Sequence, residues 1–426
     1  MKTLLRNGRI IDPANGRDEV ADLFIVDGRI AEKSEIRNPK SEIEKIDATG
    51  LIVSPGLIDI HVHFREPGAG WKETIESGAR AAAAGGFTTV LCMPNTSPVA
   101  DSPSTIAWIK DRAAEVARVR VLPAGAISKN LAGEELAPIG SLAQAGVVAI
   151  TDDGHCVQNN ELMRRAVEYA RMVGVPVLDH CQDYNLVGNG LVHEGYWSTL
   201  LGLPGWPAVG EEAIVARNVL LAEFCDHRIH CQHISAAGSV RLLREARARG
   251  VKISGEVCPH HIALTDESIQ NFDTDFKMNP PLRTERDIAA LLEGIADGTL
   301  EILASDHAPH AKFEKEVEFD RAPFGIVGLE TELGLFIDLL VHRHRTIGLP
   351  RLIEMLTVNP ARLLGSEAGS LSLGAVADVT LIDPGLEWTV DASSFLSASR
   401  NTPFDGWKLR GRAVRTMVGG ETVWQL

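Results

Sequence analysis

A chain of 426 residues is long enough for two or three ordinary domains, or for one α/β barrel carrying a small appended domain. Hydrophobic residues make up 45% and charged residues 23%, a globular mix that excludes gross disorder. The formal net charge of −15 argues against a general nucleic-acid binder, whose affinity comes from clustered Lys and Arg, and favours a small-molecule task.

No run approaches the roughly 18 consecutive apolar residues of a bilayer span, so no membrane partner is expected. The opening MKTLLRNGRIID lacks the apolar stretch of a signal peptide. Six cysteines (Cys92, Cys156, Cys181, Cys225, Cys231 and Cys258), none in a CxxC pair, are too sparse for a disulfide scaffold. They read as reduced, buried small residues of a cytoplasmic protein.

Residues 1–54 read as short strands and turns, with DLFIVDGRI forming a hairpin around Asp27-Gly28. A strand-then-helix rhythm follows over residues 55–366. LIVSPGLIDIHVH reads as a strand before a helix over 72–84, FTTVLCM precedes a helix over 103–117, and RVLPAGAI precedes a short one over 141–145. VVAITDD precedes a helix over 161–173, VPVLDH one over 211–224, and RIHCQHIS one over 239–249. VKISGEVC precedes a helix over 287–296 and EILASD one over 330–343. The strands are short, apolar and β-branched, as strands buried on both faces should be, and the helices are amphipathic. Eight such parallel units close into a (β/α)8 TIM barrel. Beyond it, 377–383 reads as a strand and 411–424 as a hairpin turning at Gly419-Gly420. Neither end can bury much core alone, so 1–54 and 367–426 are expected to join as one small composite β domain.

In a barrel of this kind the chemistry lies at the C-terminal ends of the strands. Strand one ends in His61-Val62-His63, strand four in Asp152-Asp153, and strands five, six and eight in His180, His233 and Asp306. Side chains two apart on a strand share a face, so His61 and His63 can reach one metal at about 2.0–2.1 Å. A single strand-end histidine is ordinarily a hydrogen-bonded core residue. Polar groups gathered on so many strand ends would each be desolvated without a common partner, and a metal supplies one. A second divalent ion about 3.5–4 Å away needs a bridging anion. Asp153 and Asp152 compete for that place, because adjacent strand residues face opposite ways. Asp306 can both ligate and relay a proton.

The motifs PGLIDIHVHFREPG (55–68), MPNT (93–96), TDDG (151–154), Asp179-His180, HIS (233–235), PHH (259–261), MNPPLR (278–283) and SDHAPH (305–310) run through nearly the whole chain. Together they resemble the amidohydrolase superfamily and, within it, the long-chain bacterial dihydroorotases. PGxIDxHxH marks only the superfamily; FREPG, MNPPLR and SDHAPH narrow it. The resemblance implies one or two Zn2+ ions held by His61, His63, Asp153, His180, His233 and Asp306, with Asp306 as the catalytic acid/base. An aspartate stands where many superfamily members bridge their metals with a carboxylated lysine, and Lys129 reads as a surface residue. The resemblance further implies substrate contacts at His63, Arg65, Asn95, Asn279 and His310, and at the backbone of Pro323, Phe324 and Gly325. A guanidinium fork matches a substrate carboxylate, the alternative for Arg65 being an ion pair with Glu66. His260 and His261 read as structural or supporting residues; His155, His193, His227, His230, His342 and His344 read as surface or packing residues. Cys258 stands where relatives often carry a hydroxyl, a change without a functional account.

The implied activity is the reversible cyclisation of N-carbamoyl-L-aspartate to (S)-dihydroorotate and water in de novo pyrimidine (UMP) biosynthesis, by a zinc-activated hydroxide and an aspartate acid/base. Rivals are another cyclic amidase, such as a hydantoinase or allantoinase, with less need for Arg65 and Asn95, and a non-catalytic scaffold of aspartate transcarbamoylase. Filled ligand positions speak against the scaffold. The expected partners are the small-molecule substrate, a second copy in a homodimer, and aspartate transcarbamoylase. The Gly-rich loop 185–205 carries no assigned role.

Overall fold

Short apolar strands line a closed barrel in the computed structural model, which describes residues 2–36 and 43–426. Residues 1 and 37–42, part of the expected 1–54 segment, lie outside it. The barrel strands are Leu57–Val62, Phe87–Cys92, Arg120–Pro123, Val177–Asp179, Ile229–Cys231, Ile253–Val257 and Ile302–Leu303, with a fourth position at Ile150. All pair in parallel. Closure comes from the bridge between Val62 and His307, where the amide of His63 donates to the carbonyl of His307 at 2.8 Å.

Two strand expectations need correcting. LIVSPGLIDIHVH is two strands, Ile52–Pro55 in the terminal sheet and Leu57–Val62 in the barrel. The break falls at Gly56, where a Cβ would lie 2.1 Å from Thr88 Oγ1. VVAITDD contributes only the bridges of Ile150 to Gly125 and Val177. Past Ile150 the chain turns, because the Asp152 carboxylate accepts the amides of Ile127 and Ser128 and the Asp153 amide donates to Thr151 Oγ1.

The helices begin and end where capping chemistry permits. The first is Ile75–Gly85, three residues later than expected, because Thr74 accepts the Ser77 amide as N-cap. The next is Pro103–Val116, with Ser102 as its cap and proline in its first turn. Ile139–Ala145, Asn160–Val173, Val209–Cys225, Ala237–Ala248 and Glu285–Ala296 follow, and Leu329–Phe336 continues as a π-helical turn through Ile337–Arg343.

Both chain ends enter one sheet. Its order is Glu421–Gln425, Lys408–Val418, Val379–Thr389, Ile52–Pro55, Lys2–Asp12, Arg17–Val26 and Arg29–Ala31, with Glu44–Asp47 also pairing to Lys2–Asp12. The antiparallel ladder between Ile52–Pro55 and Val379–Thr389 joins the two ends. Both hairpin turns use two left-handed residues, Asp27 and Gly28 at φ 48° and 78°, Gly419 and Gly420 at φ 56° and 79°. Leu5, Leu23, Ile25, Val379 and Leu381 build a core within the sheet. Ile11, Ile52, Ile382 and Leu409 merge instead with the barrel core. We propose residues 55–366 as the barrel unit and 1–54 with 367–426 as the sheet unit, Gly56 being the joint.

Phe64, between His63 and Arg65, is fully buried under the first helix. A Cβ at Gly78 would come within 2.4 Å of its ring. Gly78→Ala should therefore destabilise the chain by about 1–3 kcal/mol, read as a lower urea midpoint with an unchanged slope. A midpoint equal to that of the native chain would show that the ring can move aside.

Candidate metal centre

His61, His63 and His180 are each aimed by a partner on the far nitrogen. His61 Nδ1 lies 2.6 Å from Glu256 Oε1, so that nitrogen carries the proton and Nε2 turns inward. His63 Nδ1 lies 2.9 Å from Asn95 Oδ1, which leaves its Nε2 3.2 Å from both Asp306 Oδ1 and Asp153 Oδ2. His180 Nε2 lies 2.9 Å from Gln182 Oε1, and its Nδ1 is 2.7 Å from His233 Nε2. His61 Nε2 is 3.2 Å from Asp153 Oδ1 and 3.5 Å from Asp306 Oδ1. The nitrogens of His180 and His233 both stand 3.7 Å from Asp153 Oδ1. The six residues expected as ligands thus converge.

Asp153 Oδ1 is buried and has no hydrogen bond of good geometry despite this ring of nitrogens. Burial opposes ionisation of Asp153, but the charge of His61 and bonds from His180, His233 and His61 hold its carboxyl well below the usual range. Burial likewise opposes Asp306, and His61, His63 and His233 hold it low. His61 loses to burial and gains more from Asp153, Asp306 and Glu256, which carry it well above its ordinary value. Four imidazoles and two ionised carboxylates without solvent are the donor set of a zinc-class ion, so the residues fit the implied metal. The ligand atoms of His61, His63 and Asp306 lie within 4.8 Å of one another, as do those of His61, Asp153 and His233. Asp152 faces away, its carboxylate taken by the amides of Ile127 and Ser128 and the Ser128 hydroxyl. Burial pushes it up to about 6 against those bonds.

A cavity of about 440 Å³ opens onto this cluster, and every expected substrate residue lines it: His63, Arg65, Asn95, Asn279, His310, Phe324 and Gly325. Arg65 is not paired with Glu66. Its Nε donates to the Pro309 carbonyl at 3.2 Å, while Glu66 accepts the Ile75 amide at 2.7 Å. Asn279 donates to Gln182, and its Oδ1 is buried and unpartnered. Burial, then Arg65, Lys72 and Lys315, push His310 down to about 2, so it is neutral; Nε2–H donates to the Phe324 carbonyl at 2.8 Å. Gly325 departs from expectation. Its amide donates to Lys277 and its carbonyl accepts from Lys315 and Asn401, so it chiefly leaves room: a Cβ would lie 2.7 Å from Ala308 Cβ.

Arg65, His233 and Asp306, all lining the cavity, have left-handed φ, at 59°, 34° and 48°. His155, expected on the surface or in packing, forms part of the cavity wall. His230 is buried, held by Ser254 at 2.8 Å and Glu256 at 3.0 Å, and so belongs to the support of His61. Lys129 is exposed and paired with Glu135, as expected of a surface lysine. Sequence reasoning missed Glu256, Gln182 and Asp59. The signal for Glu256 was a lone carboxylate inside an apolar strand. Asp59 accepts the His61 amide at 2.9 Å and the Ser305 hydroxyl at 2.5 Å, tying strand one to strand eight.

Because Asp153 meets the histidines and Asp152 does not, Asp153→Asn should release most bound divalent metal. Asp152→Asn should retain it, as measured by elemental analysis of purified protein. The opposite ranking would mean that the wrong carboxylate faces the centre.

Residues 50–239 match the family model described as dihydro-orotase-like, and 212–423 match the amidohydrolase family. The dihydroorotase of Pelotomaculum thermopropionicum is 53% identical over 425 residues, covering 100% of this chain and 99% of its own. That of Syntrophotalea carbinolica is 50% identical over 427 residues, covering 100% of both. Among solved structures, an L-hydantoinase from Arthrobacter aurescens matches with a TM-score of 0.89 at 25% identity, over 99% of this chain and 96% of its own. A dihydropyrimidinase from Brevibacillus agri matches at 0.87 and 23% identity, over 100% of this chain and 95% of its own, a likeness of fold alone. With half of its residues shared over the full length of both relatives, the chain belongs to the dihydroorotase family of the amidohydrolase superfamily.

Proposed function

We propose that this chain interconverts N-carbamoyl-L-aspartate and (S)-dihydroorotate, closing or hydrolysing a cyclic amide in pyrimidine synthesis. The observation that carries the reading is the placement of Arg65 in the cavity that also holds His63, Asp153 and Asp306. Burial opposes the charge of Arg65, which Asp306 and Asp153 support, and its one side-chain hydrogen bond among the described residues, to Pro309, leaves most of its donors for an anion. A substrate with a reactive amide at one end and a carboxylate at the other satisfies both ends of the cavity. A hydantoin satisfies only one.

His61, His63, Asp153, His180, His233 and Asp306 would hold the metal, one or two Zn2+. When bound, such an ion supplies a Lewis acid that acidifies water and polarises a ring carbonyl. The chain's own residues do the rest. Asp306, ionised by its imidazole neighbours, takes the proton from the attacking water and gives it to the departing ring nitrogen. In the cyclising direction it accepts a proton from the attacking nitrogen. Arg65 and Asn95 hold the carboxylate, the free Oδ1 of Asn279 orients the ring, and His310, its Nδ1 facing Lys72 Nζ at 3.4 Å, walls the ring site. No helix among the described residues is long and apolar enough to cross a membrane. The cytoplasmic location, the homodimer and the aspartate transcarbamoylase partner rest on the family resemblance.

Losing one partner of a buried charge pair costs roughly 2–5 kcal/mol, so Arg65→Met should slow turnover of dihydroorotate on the order of 30-fold or more. Dihydrouracil, the same ring without the carboxylate, should be a poor substrate of the native chain and little changed by the substitution. Equal fractional losses on both would make Arg65 structural and sink the substrate reading.

Asp306→Asn tests the proton step separately. The amide keeps the shape and one oxygen ligand but cannot carry the proton, so metal should stay while turnover falls about 10²–10⁴-fold. Near-native turnover would leave Asp306 only a ligand and move the shuttle elsewhere, with His310 next.

A further inference from the structure

Three further donors sit together in the turn that follows the seventh barrel strand, Ile253–Val257. Cys258 comes first, and Pro259 leads into the short helix His260–Ala263. Cys258, His260 and His261 are 0%, 1% and 2% exposed. Their ligand atoms all lie within 4.8 Å of one another, and the two rings are 4.3 Å apart between centroids.

The histidines have not spent their nitrogens elsewhere. Among the described residues, neither ring nitrogen of His260 has a hydrogen-bond partner, and neither has Nδ1 of His261. His261 Nε2 lies 3.0 Å from the Pro280 carbonyl, which can only accept, so Nε2 carries the proton and Nδ1 the lone pair. A backbone carbonyl on the far nitrogen is how proteins aim a histidine at a metal. An imidazole buried with both nitrogens idle has lost its water bonds with nothing gained in return. The local field points the same way. Burial, then the carboxylates of Asp306, Glu256, Asp59 and Glu332, push the Cys258 thiol well above its ordinary value. The ionised pair among them, Asp306 and Glu256, attracts a cation, and its arrival would release the thiol proton.

We propose that Cys258, His260 and His261 form a separate site for a zinc-class divalent ion, outside the centre built on His61, His63, Asp153, His180, His233 and Asp306. A thiolate with two imidazoles selects zinc, or cobalt in its place, over magnesium or calcium. The three protein ligands leave a fourth position open. Through the His261–Pro280 bond the ion ties the end of strand seven to the segment bearing Asn279, which lines the cavity. The site stands or falls independently of the proposed activity, because nothing in it depends on the substrate.

Cobalt makes the test specific, since thiolate ligation gives a near-ultraviolet charge-transfer band and no ligand of the main centre carries sulfur. The metal-free full chain is titrated with Co2+ and followed by absorbance and elemental analysis. The native chain should develop the band over one equivalent of metal. Cys258→Ala should lose the band and bind one equivalent fewer. His260→Gln should lose most of the band with its thiol intact, and His63→Ala, which damages only the main centre, should keep it. No thiolate band in a native chain saturated with Co2+ overturns the proposal. A band that survives Cys258→Ala also overturns it, by assigning the signal to another buried cysteine such as Cys181. Should Cys258→Ala not fold, the closer Cys258→Ser takes its place, and the native spectrum alone still decides against the site if it lacks the band.

Discussion

The carboxylate of Asp153 is buried at the mouth of the barrel, with both oxygens turned towards histidines from three different strands. Burying an ionised carboxylate is tolerable only if charge and donors surround it. The histidines meet that demand only when their rings are held in one orientation. Glu256 holds His61, Asn95 holds His63 and Gln182 holds His180. Those holders come from strand seven, from the loop after strand two and from the end of strand five. One anion thus makes demands on most of the circumference, and the barrel must close for the demands to be met. The closure has its own polar joint, in which Asp59 on strand one accepts the Ser305 hydroxyl just past the end of strand eight. Beside it Glu332 is fully buried; burial and then the charge of Asp59 push its carboxyl well above its ordinary value, so it is protonated.

The terminal sheet segment also takes part in the site. Asn401 accepts the amide of His310 at 3.1 Å and donates to the carbonyls of Ala308 and Gly325 at 3.3 Å and 3.1 Å. Ser397 donates to Glu73, whose other bonds go to His307 and Ser77. A stretch of chain beyond residue 367 therefore braces the loop SDHAPH from behind. Left-handed backbone at Asp306 persists only where the surroundings over-determine it, and these braces on the residues that follow it contribute to that. The sheet's hydrophobic face locks it to the barrel, so the brace is not free to drift.

Much of this was legible in the residues, and the reason is geometric. A strand end is a fixed place in a barrel, so a histidine or aspartate at the end of an apolar run has few directions to point. That is why His61, His63, His180, His233 and Asp306 could be gathered before any coordinates. Alternation narrowed the fourth strand to Asp152 or Asp153, but only the amides of Ile127 and Ser128 explain why Asp152 turned away. Glu256 was hidden because its role depends on a ring 195 positions earlier in the chain. Asn401 was hidden for the same reason, lying in a segment that reads as loop. The strand expected at VVAITDD nearly dissolved because its polar end found partners outside the ladder. Local pattern reports the elements well and is silent on bonds between residues far apart in sequence.

Backbone shape alone does not choose the substrate. A hydantoinase shares this fold to a TM-score of 0.89 at only 25% identity. Two chains so alike in path can differ in chemistry only through the few side chains around the cavity. Here those side chains include a buried guanidinium whose hydrogen bond among the described residues goes to Pro309. A ring with a carboxylate completes its bonding. A ring without one leaves a desolvated cation unpaired, and that penalty falls on the wrong substrate rather than rewarding the right one. The same logic makes His310 informative. Kept neutral by burial and then by Arg65, Lys72 and Lys315, it adds no second positive charge beside Arg65, and its Nδ1 faces Lys72 Nζ at 3.4 Å. In the proposed function, discrimination therefore arises from one buried charge and the neutrality of its neighbour, both set by side chains that the shared backbone does not dictate.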